Sequence, residues 1–293
     1  MTNLVVGATG VVGGKICALL REQGASVRAL VRSSSSPEAV ERLRAAGVEI
    51  VVGDLKSPAT LAGACHGVST VFSTASAIGA PKEGDSFDSV DVGGMMHLIA
   101  ASRDAGVTRI VYVSVLGVSG DFPLGRAKLE CERALRESGV GYTILQPSVF
   151  MDSWLSAEMG FDYQSGTVTV FGDGTTRQGY IHSSDVARIA VSAASAAEAH
   201  NATLHLTGPD SLTSVDVVRA FEAASGRTFT TNFVPGEALA EQRAAATNPW
   251  EETFAGLMQR FAAGDPEQLQ PLPGSVAPAT RTVASYAREL LGS

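Results

Sequence analysis

Cysteine is scarce: Cys17, Cys65 and Cys131 are the three in 293 residues, far apart and without a CxxC pair. That spacing argues against a disulfide framework and a cysteine zinc site, and it fits a reducing compartment. His66, His97, His182, His200 and His205 show no HExxH or other ligand spacing, so no metal centre is expected. Positive charge is also in deficit, with 22 Lys plus Arg against 30 Asp plus Glu and a net charge of −8. A chain of that sign repels phosphate backbones, so nucleic acid is not an expected partner. No apolar run is long enough to span a bilayer, and the opening MTNLVVGATG enters a structural motif at once without a basic leader. The expectation is a cytoplasmic monomer or homodimer that acts on a small molecule, with no membrane partner.

What the chain does have is a recurring phrase: a helix-like stretch, a glycine, then a β-branched run, at Gly24, Gly47, Gly67, Gly106 and Gly139. Glycine tolerates the left-handed conformation that closes a helix, and the runs SVRALV, VEIVV, STVFSTA, RIVYVSV and GYTILQ read as strands. With LVVG at 4–7 they make six strands, apolar on both faces and alternating with helices, which implies a parallel sheet covered on both sides. The predicted fold is α/β, a doubly wound Rossmann sheet over residues 1–150. A smaller substrate-binding region follows over 151–293, of which about 178–210 returns to the Rossmann core. Ser36 and Ser57, each before a proline, read as helix caps, Thr213 with Asp216 as a capping box, and 264–280 as an exposed loop.

The motif that carries chemistry is GATGVVGG, directly after the first strand and at the opening of a helix. Gly7 permits the tight turn, Gly10 lets backbone approach a pyrophosphate, and Gly13 allows close helix packing. Thr9, Val11 and Val12 complete the turn as candidate cofactor contacts. The second strand ends VRALVRSSSS without the acidic residue that would bind a ribose diol. Arg32 and Ser33 are instead placed to receive a 2′-phosphate, so NADPH is favoured over NADH, the other reading of Arg32 being a solvated loop charge.

GATGVVGG, Arg32, GDL at 53–55, GYTILQPSVF at 141–150, FGDG at 171–174 and SSDVARIA at 183–190 together resemble the NmrA-like atypical short-chain dehydrogenases/reductases, over most of the chain. That family includes NADPH-dependent quinone and triphenylmethane-dye reductases and also redox sensors that bind dinucleotide without turnover. The resemblance implies that Asp54 and Leu55 lie beside adenine, that Thr74, Ala75 and Ser76 line the cofactor, and that Pro147, Val149 and Phe150 flank the nicotinamide. Asp54 also reads as a cap at a helix start. A typical short-chain dehydrogenase pairs Tyr and Lys as Y-x-x-x-K, whereas here Leu124 stands in the tyrosine's place before Lys128. Lys128 and Ser114 are the candidate catalytic residues, and the tyrosine acid is absent. Each has an alternative role, Lys128 in an i+4 pair with Glu132 on an exposed helix face and Ser114 as a satisfied strand-end hydroxyl.

Met151, Trp154 and Tyr163, in an aromatic cluster just past the sixth strand, read as substrate-binding residues or as ordinary core. The leading expectation is an NADPH-dependent reductase of quinones, enones or other conjugated small molecules. A non-catalytic NADP(H) sensor and a cofactor-binding isomerase or dehydratase stand as alternatives.

Overall fold

Each β-branched run becomes a strand of one parallel sheet, and each expected glycine closes the helix before it. The computed structural model describes residues 2–79, 81–266 and 269–292. The chain runs β1 (Thr2–Val6), α1 (Val11–Glu22), β2 (Ser26–Val31), α2 (Pro37–Ala45), β3 (Glu49–Val52), a 3-10 turn (Pro58–Thr60), α3 (Leu61–Cys65) and β4 (Val68–Ser73). A π-helical turn (Phe87–Val92) leads into α4 (Gly93–Asp104), followed by β5 (Arg109–Val113), α5 (Pro123–Glu137) and β6 (Gly141–Pro147). Gly24, Gly47, Gly67, Gly106 and Gly139 all have positive φ, between 70° and 76°, where a side chain would be strained. Ser36 caps α2 by accepting from the Ala39 amide. Ser57 does not cap: its side chain makes no such bond, and Thr60 Oγ1 donates to its carbonyl.

Past β6 come β7 (Val149–Phe150), α6 (Met151–Trp154), β8 (Phe161–Asp162), β9 (Thr167–Phe171), β10 (Arg177–Ile181), α7 (Ser183–Ser195) and β11 (Ala202–Leu206). The last elements are β12 (Ser211–Thr213), α8 (Ser214–Ser225), β13 (Thr230–Val234), α9 (Gly236–Ala244), α10 (Pro249–Ala263) and α11 (Val283–Leu291). The main sheet is ordered β11-β6-β5-β4-β1-β2-β3 with every pair parallel. Strand β11, absent from the six read in the sequence, adds the seventh. One face of the sheet packs against α1, α2 and α7 through Ile16, Cys17, Leu20, Leu43 and Ala190. The other packs against α3, α4 and α5 through Leu61, Leu98, Cys131 and Leu135. All three cysteines are free and buried in these cores.

Two small sheets, β12-β10-β7 and β13-β9-β8, with α8, α10 and α11, enclose a separate core built on Met151, Phe161, Tyr180, Phe221 and Phe261. The Thr213–Asp216 capping box opens α8 as the sequence indicates. The 264–280 loop carries neither helix nor strand among its described residues, with 267 and 268 lying outside them.

A buried polar knot ties the two cores together where α7 begins. His182 caps that helix, its Nδ1 accepting from the Ser184 amide at 3.1 Å. Asp152 of α6 accepts from the Ser183 amide at 3.1 Å, pairs with Lys15 of α1 at 3.4 Å and lies 3.7 Å from His182 Nε2. Burial pushes His182 below its ordinary value, outweighing the upward pull of Asp152. The folded protein therefore holds the imidazole neutral, and the unfolded chain takes up the proton first as pH falls. Stability from this residue is present above the ordinary imidazole value of about 6.5 and is lost as pH drops below it. His182→Asn keeps an acceptor at the cap and removes the titration. Thermal melts between about pH 7 and about pH 5 should show its melting temperature falling less than the parent's; parallel curves would remove His182 from the acid response.

Candidate active site

In an open α/β sheet, ligands bind at the carboxyl edge where neighbouring strands send their connections in opposite directions, which here is between β1 and β4. Gly7, after β1, has a φ of 86°, and a Cβ there would come 2.6 Å from Thr74 Oγ1 and 2.8 Å from the Ala75 amide. Gly13 packs beneath the turn, where a Cβ would lie 2.7 Å from the Gly7 carbonyl carbon. Gly10 differs from both. It is exposed, has an unstrained φ of −83°, and gives α1 an N-terminus without a side-chain cap or an acidic residue in its first turn. Free helix amides facing a groove are an anion site of the kind a diphosphate needs.

The groove over this turn encloses about 480 Å³ and is walled by Gly7, Thr9, Gly10, Val11, Arg32, Asp54, Leu55, Thr74, Ala75 and Ser76. Asp54 takes a turn-forming role as well, its Oδ1 accepting from the Lys56 amide at 2.8 Å. Ser33 lies outside this wall and borders a separate surface cleft with α2, while Ser35 takes the place beside Arg32. Arg32 is not a free loop charge: its Nη1 pairs at 2.7 Å with Asp85, which also pairs with Lys56 at 2.6 Å. Burial alone would push the Asp85 carboxyl up, but the Lys56 ammonium, the Lys82 amide and the Arg32 guanidinium together hold it down to about 2. Arg32 and Lys56 thus share the Asp85 carboxylate, with the Asp54 carboxylate in the same wall as Arg32.

Gly10, Val11, Thr74, Ser76 and Ile78 also border a second cavity of about 320 Å³, so groove and cavity share a wall. Val12, Ser114, Lys128, Pro147, Val149, Phe150 and Trp154 line it, and the rest of its wall is largely apolar. Lys128 is buried, unlike the exposed-face reading of its helix. Its partner is Asp91 of the π-turn at 3.3 Å, an ion pair too poorly aligned for a hydrogen bond. Asp91 Oδ2 accepts from the Ala77 amide at 2.9 Å, and the Lys128 ammonium stands 5.1 Å over the Tyr112 ring. Glu132, one turn further along α5, is buried too, but it serves Ser114, whose hydroxyl donates to its Oε1 at 2.6 Å. Gln146 and Arg136 complete the set on Glu132, each at 2.8 Å. The Ser114 proton is thus directed into the protein rather than toward the cavity.

Of the three residues read as contacting substrate, the structure brings only Trp154 to the cavity. Met151 is fully buried in the second core, and Tyr163 packs on Phe221 with ring centroids 5.8 Å apart. The roof comes instead from α10, where Leu257, Arg260 and Phe261 border the cavity and Phe261 stacks on Trp154 with ring centroids 4.7 Å apart and planes nearly parallel. Glu132 was read as the i+4 partner of Lys128 and serves Ser114 instead, whereas Asp85, Asp91 and Arg260 were not foreseen, each being brought in from a distant segment that no local spacing marks.

Matches to known proteins agree with this arrangement. The NmrA-like family model matches residues 2–283. The chain is 32% identical over 226 residues to an NAD(P)H azoreductase of Xenophilus azovorans, covering 76% of this chain and 74% of that protein. It is 28% identical over 239 residues to the photosystem II assembly factor Ycf39 of Cyanophora paradoxa, covering 80% and 72%. The crystal structure of Citrobacter sp. triphenylmethane reductase complexed with NADP(H) shares the fold, with a TM-score of 0.76 at 21% identity over 99% of both chains. A groove at the β1/β4 crossover, continuous with a cavity around a buried lysine and matched across nearly its whole length by one family model, makes this chain a member of the NmrA-like family.

Proposed function

We propose that the protein is an NADPH-dependent oxidoreductase that reduces a conjugated small molecule, such as a quinone, an enone or an azo compound. The observation that carries this reading is the shared wall: a phosphate-accepting glycine turn opens directly into an apolar cavity that holds a buried lysine. The azoreductase relative supports the same reaction class. The residues present fit a dinucleotide, since α1 offers uncapped amides at Gly10 and Arg32 borders the groove as a cation that a 2′-phosphate could pair with. When bound, the reduced nicotinamide supplies the hydride.

The chain's own residues then divide the remaining work. Lys128, fixed by Asp91 and the Tyr112 ring, can hold ribose hydroxyls in place and stabilise negative charge on an acceptor. Val113, Leu116, Leu124, Val149 and Leu257 exclude water from that charge and suit a flat, apolar ring. Two hydroxyls in the wall are committed elsewhere: Ser114 donates to Glu132 and Ser183 to Asp152. With no tyrosine acid in the wall, acceptors that delocalise the incoming charge should react well and simple ketones poorly.

Four measurements test the reading. Purified protein should oxidise NADPH in the presence of a quinone or azo dye; turnover of none across a panel, with NADPH bound, would favour a sensor. Gly10→Val should abolish dinucleotide binding by calorimetry with little loss of thermal stability, because its Cβ meets only the Gly7 carbonyl, at 3.2 Å. Arg32→Ala should weaken NADPH by about tenfold and NADH much less. Lys128→Met should lower single-turnover hydride transfer by about tenfold or more, as loss of a positioned cation does. An unchanged rate would remove Lys128 from the chemistry.

A further inference from the structure

A second, smaller space adjoins the cavity. It measures about 20 Å³, room for about one water, and lies in the second core, walled by Leu155, Met159, Phe161, Val168, Val170 and Val217 among others. Trp154 and Phe261 border both spaces, and no other described residue is common to the two walls. The stacked pair is therefore the partition between them. Phe261 is held from other sides as well, its ring meeting Phe171 and Tyr180 edge-on at centroid distances of 6.0 and 6.3 Å. Trp154 ends the short helix α6, whose Met151 is fully buried and whose Asp152 is tied to the start of α7. Both rings are thus anchored through the second core, and neither borders the cofactor groove.

Size gives that partition its effect. At about 320 Å³ the cavity stands at the low end of the roughly 300–1,000 Å³ typical of small-molecule sites, and under the reductase reading the nicotinamide ring takes part of it. What remains suits an acceptor of one or two fused rings. A longer ring system needs the room that the Trp154–Phe261 pair closes off, and a packed wall resists overfilling. Truncating either ring would join the void to the cavity, and an apolar space opened in this way takes up flat apolar ligands.

We propose that Trp154 and Phe261 are the specificity-determining residues of this site: as a partition they admit planar conjugated carbonyl compounds of one or two fused rings, such as a naphthoquinone, and exclude three-ring systems. The proposal rests on the reductase reading for the identity of the acceptor, but the size limit it asserts is measurable as binding, without turnover. The pair acts through shape alone, so its effect falls on the length of the ring system and not on cofactor affinity.

The test compares the parent with Trp154→Ala and Phe261→Ala, and with Trp154→Leu and Phe261→Leu, which keep an apolar side chain in the second core should an alanine variant fail to fold. Thermal melts and NADPH affinity establish that each variant is folded and loaded. Binding of naphthoquinone sulfonate and of anthraquinone sulfonate to the NADP⁺-loaded protein is measured by equilibrium dialysis; each probe carries one sulfonate, so charge is matched and ring number varies. The parent should bind the two-ring probe about tenfold or more tighter than the three-ring probe, and truncation should shrink that ratio to about threefold or less. The change should come from a gain of affinity for the larger probe, which mere loosening of the fold does not produce. Equal affinities in the parent, an unchanged ratio in the folded variants, or failure of the parent to bind the two-ring probe would overturn the proposal. If the parent discriminates by size and the variants do not, yet no acceptor supports NADPH oxidation, the proposal stands and the reductase reading falls. Turnover of two-ring and three-ring quinones alike, with equal affinity, leaves the reductase reading standing and removes the partition.

Discussion

The close approach of α1 to the turn after β1 is the constraint on which the site depends. Gly13 seats the helix against the Gly7 carbonyl, and both glycines lie against Thr74 after β4, so three chain segments meet with only the Thr74 hydroxyl between them. This contact aims the uncapped start of α1 along the sheet's carboxyl edge and places the loops after β1 and β4 side by side. Every other feature of the groove is set relative to it. Arg32 at the end of β2 reaches one end, and the cavity around Lys128 opens at the other.

The polar groups around this apolar centre are arranged by one repeated device, a carboxylate buried behind each functional side chain. Asp85 holds Arg32 and Lys56, Asp91 holds Lys128, Glu132 accepts from the Ser114 hydroxyl, and Asp265 fixes Arg260. Each pairing removes rotamer freedom from a long or rotatable group and lowers its net charge. Removing one partner of such a pair leaves a buried charge unmatched, which is why these carboxylates matter as much as the residues they hold.

The scaffold was legible because its signals are local. Glycine spacing and β-branched runs placed six strands to within about two residues, and GATGVVGG identified the turn that the groove is built on. Strand β11 escaped because Asn201, not glycine, takes the positive φ before ATLHL, so the recurring phrase is missing there. In the site, Gly7, Gly10 and Arg32 could be read directly, since turn chemistry and strand ends are visible in sequence. Asp85 and Asp91 could not: they act 53 and 37 positions from the cations they hold, with the sheet and the π-turn supplying the proximity. The aromatic cluster after β6 read as substrate-binding or as ordinary core, and Met151 and Tyr163 take the core role in the second core. Helix α10 roofs the cavity instead, from about a hundred residues later in the chain.

The position of β11 has a consequence for how the molecule can be divided. It forms the outer strand of the main sheet against β6, although it lies in sequence beyond β10 and α7. A fragment that stopped near residue 150 would leave the amides and carbonyls of β6 open along its full length and would strip α7 from the face it shares with α1. The nucleotide half is therefore not a separable module with an appendix. It is a sheet closed by a returning strand, and the connection that brings that strand home lends Ser153 and Trp154 to the cavity wall, while α10 supplies the roof. Changes within α10 would reshape the cavity while leaving that excursion and the sheet it closes in place, so the lining can vary in this architecture without disturbing the groove beside it.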